Sequence, residues 1–208
     1  DETKLKELVK ASTIITHSDP KAYWGALAVA LAAHENCSSP QVDSTKYYHR
    51  LANILATENA ETFLSLIKRA IDSVAQGKST REFTNSLDLN KGISGYMYHT
   101  VPAVIHAWLL NPNNFKNAVM EIIECGGDTD TTAAILGGIV GAGVGQEGIP
   151  QLWINGLWEW PRNIRWMIHL GQQLQDTVQS EKSATPASLP WAGVLLRNLL
   201  FTLIILLH

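Results

Sequence analysis

The sequence predicts an all-α protein. Three observations carry that prediction. Apolar residues recur at three- and four-residue spacing over most of the chain, helix caps and prolines punctuate it at matching intervals, and no run of useful length alternates with the two-residue period of a half-buried strand. The 208 residues, 46% hydrophobic and 17% charged, suffice to bury one full core, so a single domain over 1–208 is expected. Lys+Arg number 16 against 19 Asp+Glu, a net charge of -3, which offers no basic surface for nucleic acid and no charge excess that would keep the chain unfolded. Cys37 and Cys125 lack both CxxC spacing and the density of a disulfide scaffold, and no basic-then-apolar leader opens the sequence, so a reducing, cytoplasmic setting is the default expectation.

The elements follow in order. Ser18-Asp19-Pro20 places Asp19 as an N-cap and Pro20 at the first position of a helix whose apolar run ends near His34. Tyr47, Leu51, Ile54 and Leu55 mark one amphipathic helix, and Phe63, Leu66, Ile67, Ala70, Ile71 and Val74 mark another, stopped by Gly77. Ser79-Thr80-Arg81-Glu82 matches a capping box and starts a short helix, after which Asn90, Gly92 and Gly95 mark a loop. Helical periodicity resumes from His99 to Leu110, stops at Pro112, and restarts as Phe115 to Cys125 before Gly126 and Gly127 end it. Thr129 to Gly145 is a further helix, with Gly137, Gly138, Gly141 and Gly145 at a small-residue spacing that admits a neighbouring backbone. Pro150 and Pro161 are expected to start two more helices bearing Trp153, Trp158, Trp160 and Trp166 as core and junction anchors, followed by a polar connector over 179–190.

The tail from Leu189 to His208 is the most apolar stretch. Arg197 and Asn198 divide it, and Leu199 to Leu207 falls short of the roughly 20 residues that span a bilayer. The expectation is a helix packed into the core or a neighbouring chain, with a membrane-surface contact as the alternative.

The chemistry concentrates in Gly126-Gly127-Asp128-Thr129-Asp130-Thr131-Thr132. A carboxylate at an N-cap and another in the first turn sit where backbone N–H groups and the helix dipole favour negative charge, yet capping needs only one of them. Residues two apart on a helix point to different sides, so Asp128 and Asp130 converge only if Asp128 precedes the helix on the glycine turn, with Asp130 and Thr131 in the first turn. Such hard oxygen donors suit Mg²⁺, Mn²⁺ or Ca²⁺ and not zinc. Spacing alone leaves two readings open, a capped and solvated turn or half of a metal site.

The run from Glu124 to Ala142, Glu-Cys-Gly-Gly-Asp-Thr-Asp-Thr-Thr-Ala-Ala-Ile-Leu-Gly-Gly-Ile-Val-Gly-Ala, closely resembles the signature of the ADP-ribosylglycohydrolase family, which includes the dinitrogenase reductase-activating glycohydrolases. Ile15-Thr16-His17-Ser18-Asp19-Pro20 and Ser94-Gly95-Tyr96-Met97-Tyr98-His99-Thr100 agree with it in the same order. The resemblance implies an all-helical, magnesium-dependent hydrolase, with Mn²⁺ as a substitute and two metals in the site, that cleaves the bond between C1″ of ADP-ribose and an acceptor. Asp128, Asp130 and Thr131 correspond to metal ligands, and His17, Ser94, Gly95, Tyr96 and Gly127 to positions lining the ADP-ribose cleft. The family's N-terminal Thr-Asp-Asp metal motif, its acidic residue and its phosphate loop have no match, so the chain resembles the C-terminal two-thirds of a member, with the catalytic carboxylate outside it. The alternative is a member that keeps the fold and binds ADP-ribose or a partner without catalysis. Outside the matched positions, His99 and His106 read as structural and Glu124 as a solvated helix end.

Overall fold

The computed structural model describes residues 2–39, 41–188 and 190–207. Among them the chain forms α1 (Glu2–Thr13), α2 (Pro20–Ser38), α3 (Ser44–Ile54), α4 (Glu61–Ala75), α5 (Thr80–Asn85), α6 (Met97–Leu110), α7 (Phe115–Glu124), α8 (Thr129–Val144), α9 (Gln151–Asn155), α10 (Ile164–Ser180) and α11 (Trp191–Leu207), with a 3₁₀ turn at Gln146–Gly148. The all-α expectation holds: the extended pairing among the described residues is an isolated bridge between Ile93 and Gly127. The helices gather into two compact units, Asp1–Pro150 and Gln151–His208, where length alone suggested one.

The caps fall where the residue types place them. The Asp19 carboxylate accepts from the Lys21 N–H at 2.9 Å with Pro20 in the first turn. Ser79 Oγ accepts from the Glu82 N–H at 3.3 Å while Glu82 Oε2 accepts from the Ser79 N–H at 2.8 Å, a reciprocal box that holds the Glu82 carboxyl below the usual carboxylate range. Gly77, at φ +70°, turns the chain out of α4. Two boundaries differ from the sequence reading. Helix α2 continues past His34 to Ser38, because Glu35 and Asn36 are buried with partners and sustain the last turn. Helix α10 starts at Ile164 and not at Pro161, since Asn163 supplies the cap by accepting from the Trp166 N–H at 3.1 Å.

In the first unit α6 is the central element, with Val101, Ala103, Val104, Ile105, Ala107 and Trp108 all buried. Leu27, Ala28 and Leu31 of α2, Tyr47 and Leu51 of α3, Phe63 and Ile67 of α4, and Leu136, Ile139 and Val140 of α8 complete the core around it. Asn36 ties three parts of this unit together. Its Oδ1 accepts from Trp108 Nε1 at 2.9 Å, and its Nδ2 lies within hydrogen-bonding distance of the carbonyls of Pro112 (3.1 Å), Ile139 and Val140 (both 3.3 Å). The glycine pattern of α8 admits neighbours at two places. A Cβ on Gly137 or Gly141 would meet the Phe115 ring at 3.4 or 3.6 Å, and a Cβ on Gly143 would lie 2.7 Å from the Asn36 carbonyl oxygen. Gly138 and Gly145, expected in the same role, face open space, and Gly143 takes the close approach instead. Helix α1 has no buried residue, and leans Leu5 and Val9 on the core, with Arg50 Nε 3.1 Å from Glu2 Oε1.

His106 is fully buried and structural, as read. Its Nδ1 lies 3.1 Å from Thr80 Oγ1, its Nε2 3.1 Å from Ser73 Oγ, and its ring stacks on Phe83 at 4.7 Å. Burial pushes its pKa down to about 4.

In the second unit α11 buries none of its residues, and Leu199, Leu203 and Leu207 are exposed. The expected core packing of the tail is therefore not found among the described residues of this chain. Arg197 pairs with Glu159 at 2.7 Å. The tryptophans divide in the same way, with Trp153 and Trp166 half-buried and Trp158 and Trp160 exposed. Gln179 and Ser180 at the start of the expected connector belong to α10, while Leu189 in that connector and His208 at the end of the apolar tail lie outside the described residues. No helix among the described residues is long and apolar enough to cross a membrane.

Two outcomes test this account of the core. Asn36→Ala strands the Trp108 indole N–H and nearby carbonyls in the interior, and should cost about 2–4 kcal/mol in denaturant unfolding. Because His106 titrates lower in the folded state than its ordinary value near 6.5, the unfolded chain binds more protons between those values. Stability is therefore full above about pH 6.5 and falls by roughly 3 kcal/mol as pH drops through about 4. Unfolding free energies at a series of pH values should show that fall in the parent chain and a shallower one in His106→Gln.

Candidate functional site

The site is built where two loops of the first unit fuse through their backbones. Gly126 and Gly127, at φ +74° and +83°, reverse the chain at the end of α7, a left-handed path that disfavours any residue with a Cβ. Opposite them, Gly92 adopts φ +109°. The Ile93 N–H donates to the Gly126 carbonyl at 3.0 Å, and the Asp128 N–H donates to the Ile93 carbonyl at 2.7 Å. A Cβ on Gly92 would lie 2.4 Å from the Gly127 nitrogen, and one on Gly127 would lie 2.1 Å from the Ile93 oxygen. The Ile93 side chain, fully buried, anchors the pairing in the core.

This pairing places Asp128 just before α8 and Asp130 and Thr131 in its first turn. The Asp128 side chain makes no capping bond to the helix. Its carboxyl instead reaches Asp130, and that hydrogen bond, with the backbone N–H groups of Thr131 and Asp130 itself, holds the Asp130 carboxyl below the usual carboxylate range. The two acids thus converge. Their neighbour across the loop junction is Gly95, where a Cβ would lie 2.9 Å from Asp128 Oδ2. Thr132 Oγ1 donates to the Asp128 carbonyl at 3.0 Å and fixes the turn from below.

Thr131, Gly95 and His17 line one cavity of about 360 Å³, together with Thr13, Thr16 and Thr100. His17 is exposed, with Nδ1 2.9 Å from Thr16 Oγ1. Ser94 and Tyr96 flank Gly95. Ser94 Oγ lies 2.8 Å from His99 Nδ1, and the Tyr96 ring, 45% exposed, stands at the start of α6. Of the residues singled out in the sequence, His17, Gly95 and Thr131 share this cavity lining, Asp128 meets Gly95, and Ser94 and Tyr96 lie outside the lining on the adjoining turn. Gly127 is used as a backbone junction, and Glu124 is exposed at the end of α7. Sequence reasoning missed Gly92 as the partner of Gly127, because the loop spacing says nothing about which loop it meets. It also missed Thr13, because nothing in the sequence reading assigned α1 to the site, and it gave Thr16 no role although that residue stands in the matched stretch beside His17.

Two carboxylates meet here and Thr131 adds a hydroxyl in the same helical turn, hard oxygen donors of the type that fits part of the shell of Mg²⁺ or Mn²⁺. No cluster of three or more His, Cys, Asp or Glu that could enclose a metal occurs among the described residues, so the set covers one face only.

The architecture is thus an all-α domain whose candidate site is an acidic pair set over a helix N-terminus. The chain belongs to the ADP-ribosylglycohydrolase family, whose model matches residues 1–184, and α11 lies beyond the match. It is 28% identical over 174 residues to ADP-ribosylhydrolase ARH3 of Bos taurus, covering 72% of this chain and 47% of that protein. Against the Homo sapiens ADP-ribosylhydrolase ARH3 the identity is 26% over 173 residues, 72% of this chain and 47% of that protein. A shorter match, 34% over 64 residues, joins it to the ADP-ribosyl-(dinitrogen reductase) glycohydrolase of Rhodospirillum rubrum, covering 31% of this chain and 21% of that protein. The chain spans about half the length of the ARH3 relatives it matches.

The loop junction makes a contrast between two glycines testable. Gly127→Ala should destabilise by about 2 kcal/mol or more, since it combines a positive φ with a backbone clash. Gly138→Ala, in open space on α8, should stabilise by roughly 0.5–1 kcal/mol. Thermal unfolding of the pair checks the contrast, and equal shifts would contradict the assigned geometry.

Proposed function

We propose that the protein hydrolyses the bond between C1″ of ADP-ribose and an acceptor group, with Asp128, Asp130 and Thr131 holding Mg²⁺, for which Mn²⁺ can substitute. The observation that carries this reading is the convergence of Asp128 and Asp130, with Asp128 beside Gly95, a residue that lines one cavity with His17 and Thr131. When bound, a divalent cation supplies charge neutralisation and polarises a hydroxyl or water at that point. The chain's own residues do the placing. The missing Cβ at Gly95 leaves room for the Asp128 carboxylate, the α8 N-terminus favours negative charge there, and His17 offers a ring nitrogen on the cavity wall. Tyr96 presents an aromatic face suited to stacking a nucleobase. The names of the relatives, all hydrolases acting on ADP-ribosyl groups, support the reaction class. A second cation and the catalytic carboxylate, implied by the family resemblance, require donors beyond this set. A reducing, cytoplasmic setting belongs to the same reading and suits the two free cysteines, Cys37 and Cys125.

Mg²⁺ should raise the melting temperature of the protein, and a concentration of 100 times Kd corresponds to about 2.7 kcal/mol of stabilisation. Asp130→Asn should abolish that response and also the release of ADP-ribose from an ADP-ribosylated substrate. A Mg²⁺ response unchanged in Asp130→Asn would remove these side chains from the site.

A further inference from the structure

The turn carrying Ser94 and Tyr96 is held by one side chain that the site reading leaves out. His99 lies in the first turn of α6, and its Nδ1 is 2.8 Å from Ser94 Oγ. That hydroxyl also accepts from the Tyr96 N–H at 3.2 Å, while the Ser94 carbonyl accepts from Thr100 Oγ1 at 2.9 Å. The Tyr96 carbonyl accepts from the N–H groups of His99 at 2.8 Å and Thr100 at 3.0 Å. The Tyr96 ring meets the His99 ring edge-on, with centroids 5.2 Å apart at 87°, and tilts against Tyr98 at 5.3 Å and 45°. Tyr98 in turn stacks on the buried Phe63 at 6.1 Å, so the exposed Tyr96 is braced through a line of rings that ends in the core.

A serine two residues before an amide needs no histidine to close its turn, because the bond to the Tyr96 N–H already does that. The imidazole adds two things. It fixes the rotamer of the Ser94 hydroxyl, and it packs edge-on against the Tyr96 ring, which Tyr98 also contacts. We infer that His99 is a positioning residue that clamps Ser94 and Tyr96 into a platform for the planar base of a nucleoside diphosphate sugar. This rests on the proposed function, in which that turn borders the ligand cavity. His99 acts through its neighbours and touches the base only by way of Tyr96. Its effect therefore falls on ligands that carry a base and spares those that lack one.

The test uses His99→Ala, and His99→Asn as the variant that keeps a side-chain donor and acceptor near Ser94. Affinity for ADP-ribose and for ribose 5-phosphate is measured by calorimetry with saturating Mg²⁺, and amide hydrogen exchange is followed at Tyr96. Loss of one hydrogen bond and one edge-on ring contact should weaken ADP-ribose binding by about tenfold in His99→Ala and speed Tyr96 exchange by a similar factor. His99→Asn should recover most of both, and ribose 5-phosphate should bind parent and variants alike. Equal weakening of both ligands, or Tyr96 exchange unchanged in His99→Ala, overturns the inference. Failure of the parent protein to bind ADP-ribose sinks the proposed function and the base-platform role with it, while the exchange data then still decide whether His99 clamps the turn.

Discussion

The candidate site depends on one backbone-to-backbone contact, the pairing of Gly92-Ile93 with Gly126-Gly127-Asp128. Two hydrogen bonds hold it, and two glycines let it form, since a Cβ at either Gly92 or Gly127 would stand within 2.4 Å of the other strand. Its importance is positional. The loop after α5 and the turn before α8 lie over thirty residues apart in sequence, and this bridge brings Gly95 against Asp128 and the Ser94–Tyr96 turn beside the start of α8. A loop held only by side chains would sample many arrangements, at an ordering cost of roughly 1–2 kcal/mol per residue when a ligand bound. Pairing the backbones meets that cost on folding and leaves the acids pre-set.

The bridge is held in place by the packing beneath it. Ile93 is buried in the same core as α6 and α8, and Thr132, fully buried in α8, returns a hydroxyl to the Asp128 carbonyl. Further down α8, Phe115 lies over Gly137 and Gly141, and Asn36 fills the gap above Gly143. Glycines lower helix propensity by about 1 kcal/mol each, so α8 owes its stability to these contacts and not to its own sequence. The same helix thus carries acids at its first turn and close packing along its length.

Much of this was legible in the sequence. Capping is local chemistry, so Asp19, Ser79 and Gly77 announced their helix ends directly. The rule that acids two apart converge only across a helix start gave the relation of Asp128 to Asp130 before any coordinates. What stayed hidden was non-local. Nothing in the spacing of Gly92 says that it meets Gly127, and nothing near His34 says that Asn36 will find Trp108 and three carbonyls. The tail misled for a related reason. Apolar content reports that α11 gains by burial but not what covers it, and none of its described residues is buried here.

The electrostatics of the acidic pair follow from the same constraint. Two carboxylates brought together repel, and nothing obliges the half-buried Asp128 and the exposed Asp130 to meet unless the backbone does so. Here the glycine turn forces the approach, and part of the repulsion is offset by the Thr131 and Asp130 N–H groups and by the field at the start of α8, which favours negative charge by about 0.3–1 kcal/mol. The fold therefore concentrates negative charge at a point where Gly95 leaves space beside it, and it is this enforced proximity, more than the presence of two aspartates in the sequence, that sets the candidate site apart from an ordinary capped turn.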